Sequence, residues 1–122
     1  MKKIYYTWNQ LEQDITKIAK ILTVTEIKID GIYGIPRGGL IPAVMLSHKL
    51  DIPLVTTLDN KKELLIVDDI SDQGKTLKKL FNKKHPKGFV ITLWIMNKTK
   101  FMPSWYCRIK NENEWVYYPW EI

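Results

Sequence analysis

The 122-residue chain has a single cysteine, Cys107, and only two histidines, His48 and His85. One cysteine excludes an internal disulfide, so the fold must be held by its core. None of the three has a partner at metal-ligand or catalytic spacing, which removes zinc-finger and Cys–His nucleophile readings and leaves them as structural residues. There is no internal repeat, no low-complexity segment, no linker and no apolar run near the ~18 residues that a membrane-spanning helix requires. The opening Met1-Lys2-Lys3-Ile4-Tyr5-Tyr6 is basic but lacks the apolar stretch and small-residue cleavage site of an export signal. These absences predict a soluble, intracellular and hence cytoplasmic protein of one domain, 1–122.

Acidic charge is also in deficit. Thirteen Asp and Glu face nineteen Lys and Arg, a formal net charge of +6, which favours anionic ligands, either nucleic acid or small phosphorylated molecules. The lysines come in ones and twos (Lys2-Lys3, Lys61-Lys62, Lys78-Lys79, Lys83-Lys84) and read as solvated surface. No nucleic-acid recognition motif accompanies them, so nucleic acid is the less favoured partner. What the chain does have is an ordinary apolar content of 45% and an unusual number of aromatics, with five Trp and six Tyr concentrated toward the ends. That is enough for a core and a sheet of four or five strands.

Leu11, Ile15, Ile18, Ala19 and Leu22 recur at helical spacing behind two possible capping boxes, starting at Thr7 or Asn9, and predict an amphipathic helix that ends within 23–26. Residues 27–34 and 51–57 read as strands flanking a helix over 38–50, in which Pro42 is tolerable only in the first turn. The opening stretch supplies another strand. Beyond a loop at 83–88, residues 89–95 read as a further strand. A short strand over 105–109 follows, and the aromatic segment 114–121 closes the chain. Alternating strands and helices predict a mostly parallel sheet covered by helices on both faces, a single-domain three-layer α/β fold.

The centre of this pattern is Leu64-Leu65-Ile66-Val67-Asp68-Asp69-Ile70-Ser71-Asp72-Gln73-Gly74-Lys75-Thr76. Four apolar residues bounded by charge mark a buried central strand, which puts Asp68 and Asp69 at its carboxyl end, where ligands bind in open α/β sheets. A helix beginning near Gly74 directs the unpaired N–H groups of residues 71–76 at one point, enough to hold a phosphate. Two acids beside a phosphate cradle suit a sugar phosphate whose hydroxyls donate to the carboxylates, with or without Mg²⁺. A second loop, Gly34-Ile35-Pro36-Arg37-Gly38-Gly39, places a guanidinium and freed N–H groups at another strand-to-helix turn.

The acid-bearing loop resembles the phosphoribosyl-pyrophosphate (PRPP) motif of type I phosphoribosyltransferases, with Gln73 standing where that family usually has threonine. The arginine loop resembles the family's pyrophosphate loop, which implies a cis peptide at Pro36-Arg37. Order, spacing and the closing segment are most similar to the small bacterial xanthine-guanine phosphoribosyltransferases from Tyr6 to Glu121. The resemblance implies a phosphoribosyltransferase fold with a small C-terminal hood and a Mg²⁺-dependent, homo-oligomeric enzyme of purine salvage that uses PRPP and a 6-oxopurine.

It assigns PRPP contacts to Arg37, Gly38, Gly39, Asp68, Asp69, Ile70, Ser71, Asp72, Gln73, Gly74, Lys75 and Thr76, and Mg²⁺ to Asp68 and Asp69. Arg37, Asp68 and Asp69 join Asp72, the implied general base near the purine N7, as catalytic residues. The base would stack on Trp115, meet the main chain of Val116 and lie near Glu121. The family's base-binding lysine aligns with Ile95 or Met96, which makes Lys98 the nearby candidate. A long catalytic lid is replaced by the short join Leu58–Lys62, and this leaves open a PRPP- or nucleotide-binding regulator without turnover.

Overall fold

The computed structural model describes residues 1–84 and 86–121; His85, read above as structural, lies outside them. A five-stranded parallel sheet has the order β3 (Leu54–Val55), β2 (Gly31–Gly34), β4 (Glu63–Ser71), β5 (Lys87–Met96), β6 (Trp105–Lys110). Helices α1 (Trp8–Thr25) and α2 (Leu40–Leu50) pack their apolar stripes on one face, through Leu11, Ile15, Ile18 and Leu46 against Ile32, Leu65, Val67 and Leu93. Helix α3 (Lys75–Lys84) covers the other with Leu77 against Leu64, Ile66 and Val90. Fully burying one such side chain contributes roughly 1.5–3 kcal/mol. The predicted three layers are therefore present.

Local chemistry explains most boundaries. Thr7 caps α1 in a reciprocal box with Gln10, and the helix ends at Glu26 in a left-handed conformation. Pro42 sits in the first turn of α2, where its missing N–H costs nothing. Two expected strands are shorter than read. β2 begins only at Gly31, opposite Leu64, because β4 itself starts at Glu63 and leaves Ile27–Ile29 nothing to pair with. β3 shrinks to two residues because Asp51 is the left-handed cap of α2 and Pro53 has no N–H to give. The expected loop at 83–88 is also shorter: α3 runs to Lys84 and β5 resumes at Lys87.

The opening strand forms, but outside the central sheet. β1 (Lys2–Tyr5) lies parallel to β7 (Glu114–Tyr117), with Lys2 opposite Glu114 and Tyr5 opposite Tyr117, and Tyr5 stacks on Tyr117 at 5.4 Å. This two-stranded sheet is the hood. Its inner residues Ile4, Val116, Tyr6 and Tyr118 join the α1–α2 core. A polar clamp fastens it: the Tyr6 hydroxyl donates to Asp14, and Arg108 of β6 donates to the same carboxylate through Nε at 2.7 Å and through a second nitrogen at 3.2 Å. Cys107 beside it is half-buried, and burial pushes its thiol up to about 12, in keeping with a structural role. Among the described residues no helix is long and apolar enough to cross a membrane.

Candidate active site

β4 outruns β2. The β2–β4 ladder ends at Gly34 opposite Val67, and the Ile35 N–H closes it by donating to the Val67 carbonyl at 2.9 Å. Asp68 and Asp69 therefore stand inside the last part of a strand that continues to Ser71, one step earlier in the element than the sequence reading placed them. Their carboxylates accept from the N–H groups of Asp69 (2.9 Å) and Ile70 (2.8 Å), respectively. Asp68 is only 7% exposed, and among the described residues neither acid has an ion-pair partner. Burial, then the neighbouring Asp69 charge, holds the Asp68 carboxyl well above the usual carboxylate range, and burial raises Asp69 too. Such a pair favours a cation or hydroxyl donors.

Past the acids, the chain turns through 72–74 into α3. Gly74 has φ +84°, and a Cβ there would lie 2.7 Å from the Phe101 nitrogen, so both conformation and space demand glycine. The Ser71 hydroxyl donates to the Phe101 carbonyl at 2.6 Å and lies 2.9 Å from Thr99 Oγ1. Its side chain thus braces the loop, leaving its backbone for the expected PRPP contact. The N–H groups of Gln73 and Gly74 have no protein acceptor among the described residues, and those of Lys75, Thr76 and Leu77 precede the first intrahelical bond, from the Lys78 N–H to the Gly74 carbonyl at 3.0 Å. They surround a cleft of about 400 Å³ formed by Ile35, Pro36 and Gly38 on one side and 68–77 on the other. Ile70, Asp72, Lys75 and Thr76 belong to that wall.

The arginine loop meets this cleft from β2. Its Pro36-Arg37 peptide is cis, as the resemblance implied. A Cβ on Gly38 would fall 2.2 Å from Asp69 Oδ2, and one on Gly39 2.2 Å from the Val67 carbonyl. A side chain at Gly39 would run into backbone, and one at Gly38 would have to displace the Asp69 carboxylate, so the diglycine lets this turn press directly on the acid end of β4. Arg37 and Asp69 line a common cleft of about 670 Å³ with Trp120 and Glu121. Arg37 is exposed and has no acidic partner among the described residues. The arginine turn and the acid-bearing turn open at the same rim.

A third hollow, about 190 Å³, lies between Asp69, Ile70 and Asp72 and the hood residues Trp115, Val116, Tyr118 and Glu121. Trp115 is 51% exposed and lines this hollow, whereas Val116 is buried. Glu121 accepts the Tyr118 N–H at 2.9 Å and thereby ties the turn. Trp120 stacks on Tyr118 at 4.9 Å, a packing role.

Lys98 is not among the residues around this hollow. It is solvated, paired with Glu112 at 2.8 Å, and lines a separate cleft with Lys75, Lys78 and Lys100. The lysine in the hollow is Lys110, from β6. Sequence reading missed it because one lysine among many carries no sign of burial; its position closing an aromatic strand just ahead of the hood was the available signal. The buried Tyr118 hydroxyl, which has no partner among the described residues, was missed likewise.

No family model matches the chain. A curated xanthine-guanine phosphoribosyltransferase of Cereibacter sphaeroides (strain ATCC 17025 / ATH 2.4.3) is 26% identical over 155 residues, covering 99% of this chain and 88% of its own. Among solved structures, the xanthine-guanine-hypoxanthine phosphoribosyltransferase of Helicobacter pylori shares the fold, with a TM-score of 0.80 at 20% identity over 98% of this chain and 94% of that one. The purine phosphoribosyltransferase of Pyrococcus horikoshii Ot3 superposes with a TM-score of 0.86 and is 34% identical, covering 100% of this chain and 96% of its own. Identity at that level along the full chain reflects descent as well as architecture: the protein belongs to the purine phosphoribosyltransferases.

Proposed function

We propose that the protein transfers ribose 5-phosphate from PRPP to a 6-oxopurine (guanine, xanthine or hypoxanthine) and releases pyrophosphate, a purine-salvage reaction. One observation carries the reading: Gly38 of the arginine turn abuts the Asp69 carboxylate so closely that a single sugar phosphate can bridge both loops. In the reaction a purine ring nitrogen forms a bond to the anomeric carbon as that carbon's bond to pyrophosphate breaks, its electron pair leaving with the pyrophosphate oxygen. Inversion and an oxocarbenium-like transition state follow by analogy with glycosyl transfer. Backbone N–H groups of 71–76 hold the 5-phosphate, Arg37 and the Gly38–Gly39 backbone stabilise the departing pyrophosphate, and Asp68 and Asp69 take the ribose hydroxyls. Asp72 accepts the proton released from the base at N7. Trp115 stacks on the ring, contributing on the order of 1–3 kcal/mol.

Mg²⁺ fits the donor set. A buried and a half-buried carboxylate without a counter-charge suit an ion that takes one or two protein carboxylates and fills its remaining positions from substrate oxygens and water. No cluster of three or more His, Cys, Asp or Glu that could hold a metal occurs among the described residues, so Asp68 and Asp69 would hold the ion together with PRPP. When bound, it would neutralise charge on the pyrophosphate leaving group.

The test is PRPP-dependent pyrophosphate release with guanine, xanthine, hypoxanthine, adenine and uracil, with and without Mg²⁺. Release with a 6-oxopurine is expected; PRPP binding without release for any base would favour a regulatory module instead. The connection of only 56–62 between β3 and β4, too short for a large lid, is the observation on that side. Self-association belongs to the same proposal, since Tyr5, Trp105, Ile109 and Tyr117 are exposed, and sedimentation velocity measures it.

A further inference from the structure

We propose that the cleft between helix α3 and the 97–101 segment is a second anion site, apart from the transfer centre, that takes a short chain of linked phosphoryl groups. About 250 Å³ in volume, it is lined by Gln73, Lys75, Lys78, Met96, Lys98 and Lys100. Lys75 and Lys78 stand three residues apart on α3, hence side by side on one helix face. That helix carries no acid, and a lysine in its first turn runs against the helix dipole, which favours negative charge there. Lys98 and Lys100 close the cleft from the segment between β5 and β6.

The meeting of these cations is built into the fold. The Ser71 hydroxyl bonds to the Phe101 carbonyl and lies beside Thr99, the rings of Phe81 and Phe101 pack at 5.3 Å, and Gly74 abuts the Phe101 backbone. Each contact ties the 97–101 segment to the loop or helix that bears Lys75 and Lys78. Among the described residues Lys75, Lys78 and Lys100 have no acidic partner. Lys98 pairs with Glu112, but both side chains are well exposed, and a solvated pair of this kind is readily exchanged for another acceptor. The lining names the ligand class. Ammonium groups are compact point charges that suit phosphate oxygens, and the Gln73 amide supplies a further donor. No aromatic side chain lines the cleft, so nothing there stacks a nucleobase. Free polyphosphate and the tail of a nucleoside triphosphate share the required chemistry.

Calorimetry with tripolyphosphate on the PRPP-saturated protein, in excess Mg²⁺ and without a base, tests the site. Wild type should show saturable binding. Lys78 and Lys100 line this cleft and not the one between the two turns, so reversing both, Lys78→Glu with Lys100→Glu, should weaken tripolyphosphate by at least about tenfold and leave PRPP affinity unchanged. Absence of saturable binding to the PRPP-loaded wild type, or binding that the double reversal leaves intact, overturns the proposal. Should that variant unfold, Lys78→Gln with Lys100→Gln carries the same comparison. Uridine triphosphate is the second probe: affinity at least equal to that of tripolyphosphate, and sensitive to the same reversal, assigns the site to triphosphate tails in general, and weaker binding assigns it to the free chain. The outcome does not depend on turnover. If PRPP fails to bind and the transferase reading falls, an Arg37→Ala background removes the arginine turn as a competing anion site, and the same titration decides.

Discussion

Asp68 places function and stability in opposition. A carboxyl whose folded pKa lies above its ordinary 3.8 binds its proton more tightly in the folded state. Its contribution is therefore full below the unfolded value and is lost as pH rises through the raised one, at up to ~1.4 kcal/mol per pH unit for each proton. The unliganded protein is expected to melt at lower temperature at pH 8 than at pH 5, and Asp68→Asn to flatten that dependence while abolishing PRPP binding; differential scanning fluorimetry and calorimetry read both. Asp72 is closer to solvent and sits at the base side. Asp72→Asn should lower kcat by about 10²–10⁴ with PRPP affinity retained, as steady-state kinetics will show. At this scale the acids, the glycines and Arg37 were legible because adjacent residues carry the signal. Lys110 and the Tyr118 hydroxyl were not, since their roles come from burial, which depends on distant packing.

Among the elements, the two turns are set by space rather than propensity. Gly38→Ala drives a methyl into the Asp69 carboxylate at a position without secondary structure to break. PRPP affinity should fall by at least about tenfold, ~1.4 kcal/mol, with the far-ultraviolet spectrum preserved. Gly74→Ala adds an unfavourable positive φ to a clash with the Phe101 backbone and is expected to lower stability by about 1–3 kcal/mol in urea denaturation. Helix α1 was readable to within a few residues because its period and cap are local. β2 and β3 were overread because β propensity does not say where a neighbour begins. Pairing of β1 with β7 left no local trace, and only the exclusion of both from the central sheet reveals it.

For the whole molecule, the Asp14 carboxylate is where the hood, α1 and β6 are fastened. Removing it leaves Arg108 unpaired and the Tyr6 hydroxyl without its acceptor. Asp14→Ala should therefore cost about 1–3 kcal/mol in chemical denaturation, the range for leaving hydrogen-bonding groups unsatisfied, since Arg108 is partly solvated, and should loosen the hood. Parallel pairing of β1 with β7 has a temporal consequence. During synthesis β1 emerges from the ribosome long before its ladder partner β7, with the whole central sheet between them in sequence. A nascent chain can form the turns at 34–39 and 71–76 while still tethered, yet the two-stranded hood must wait for β7. Competence to bind PRPP should therefore precede competence to bind a base.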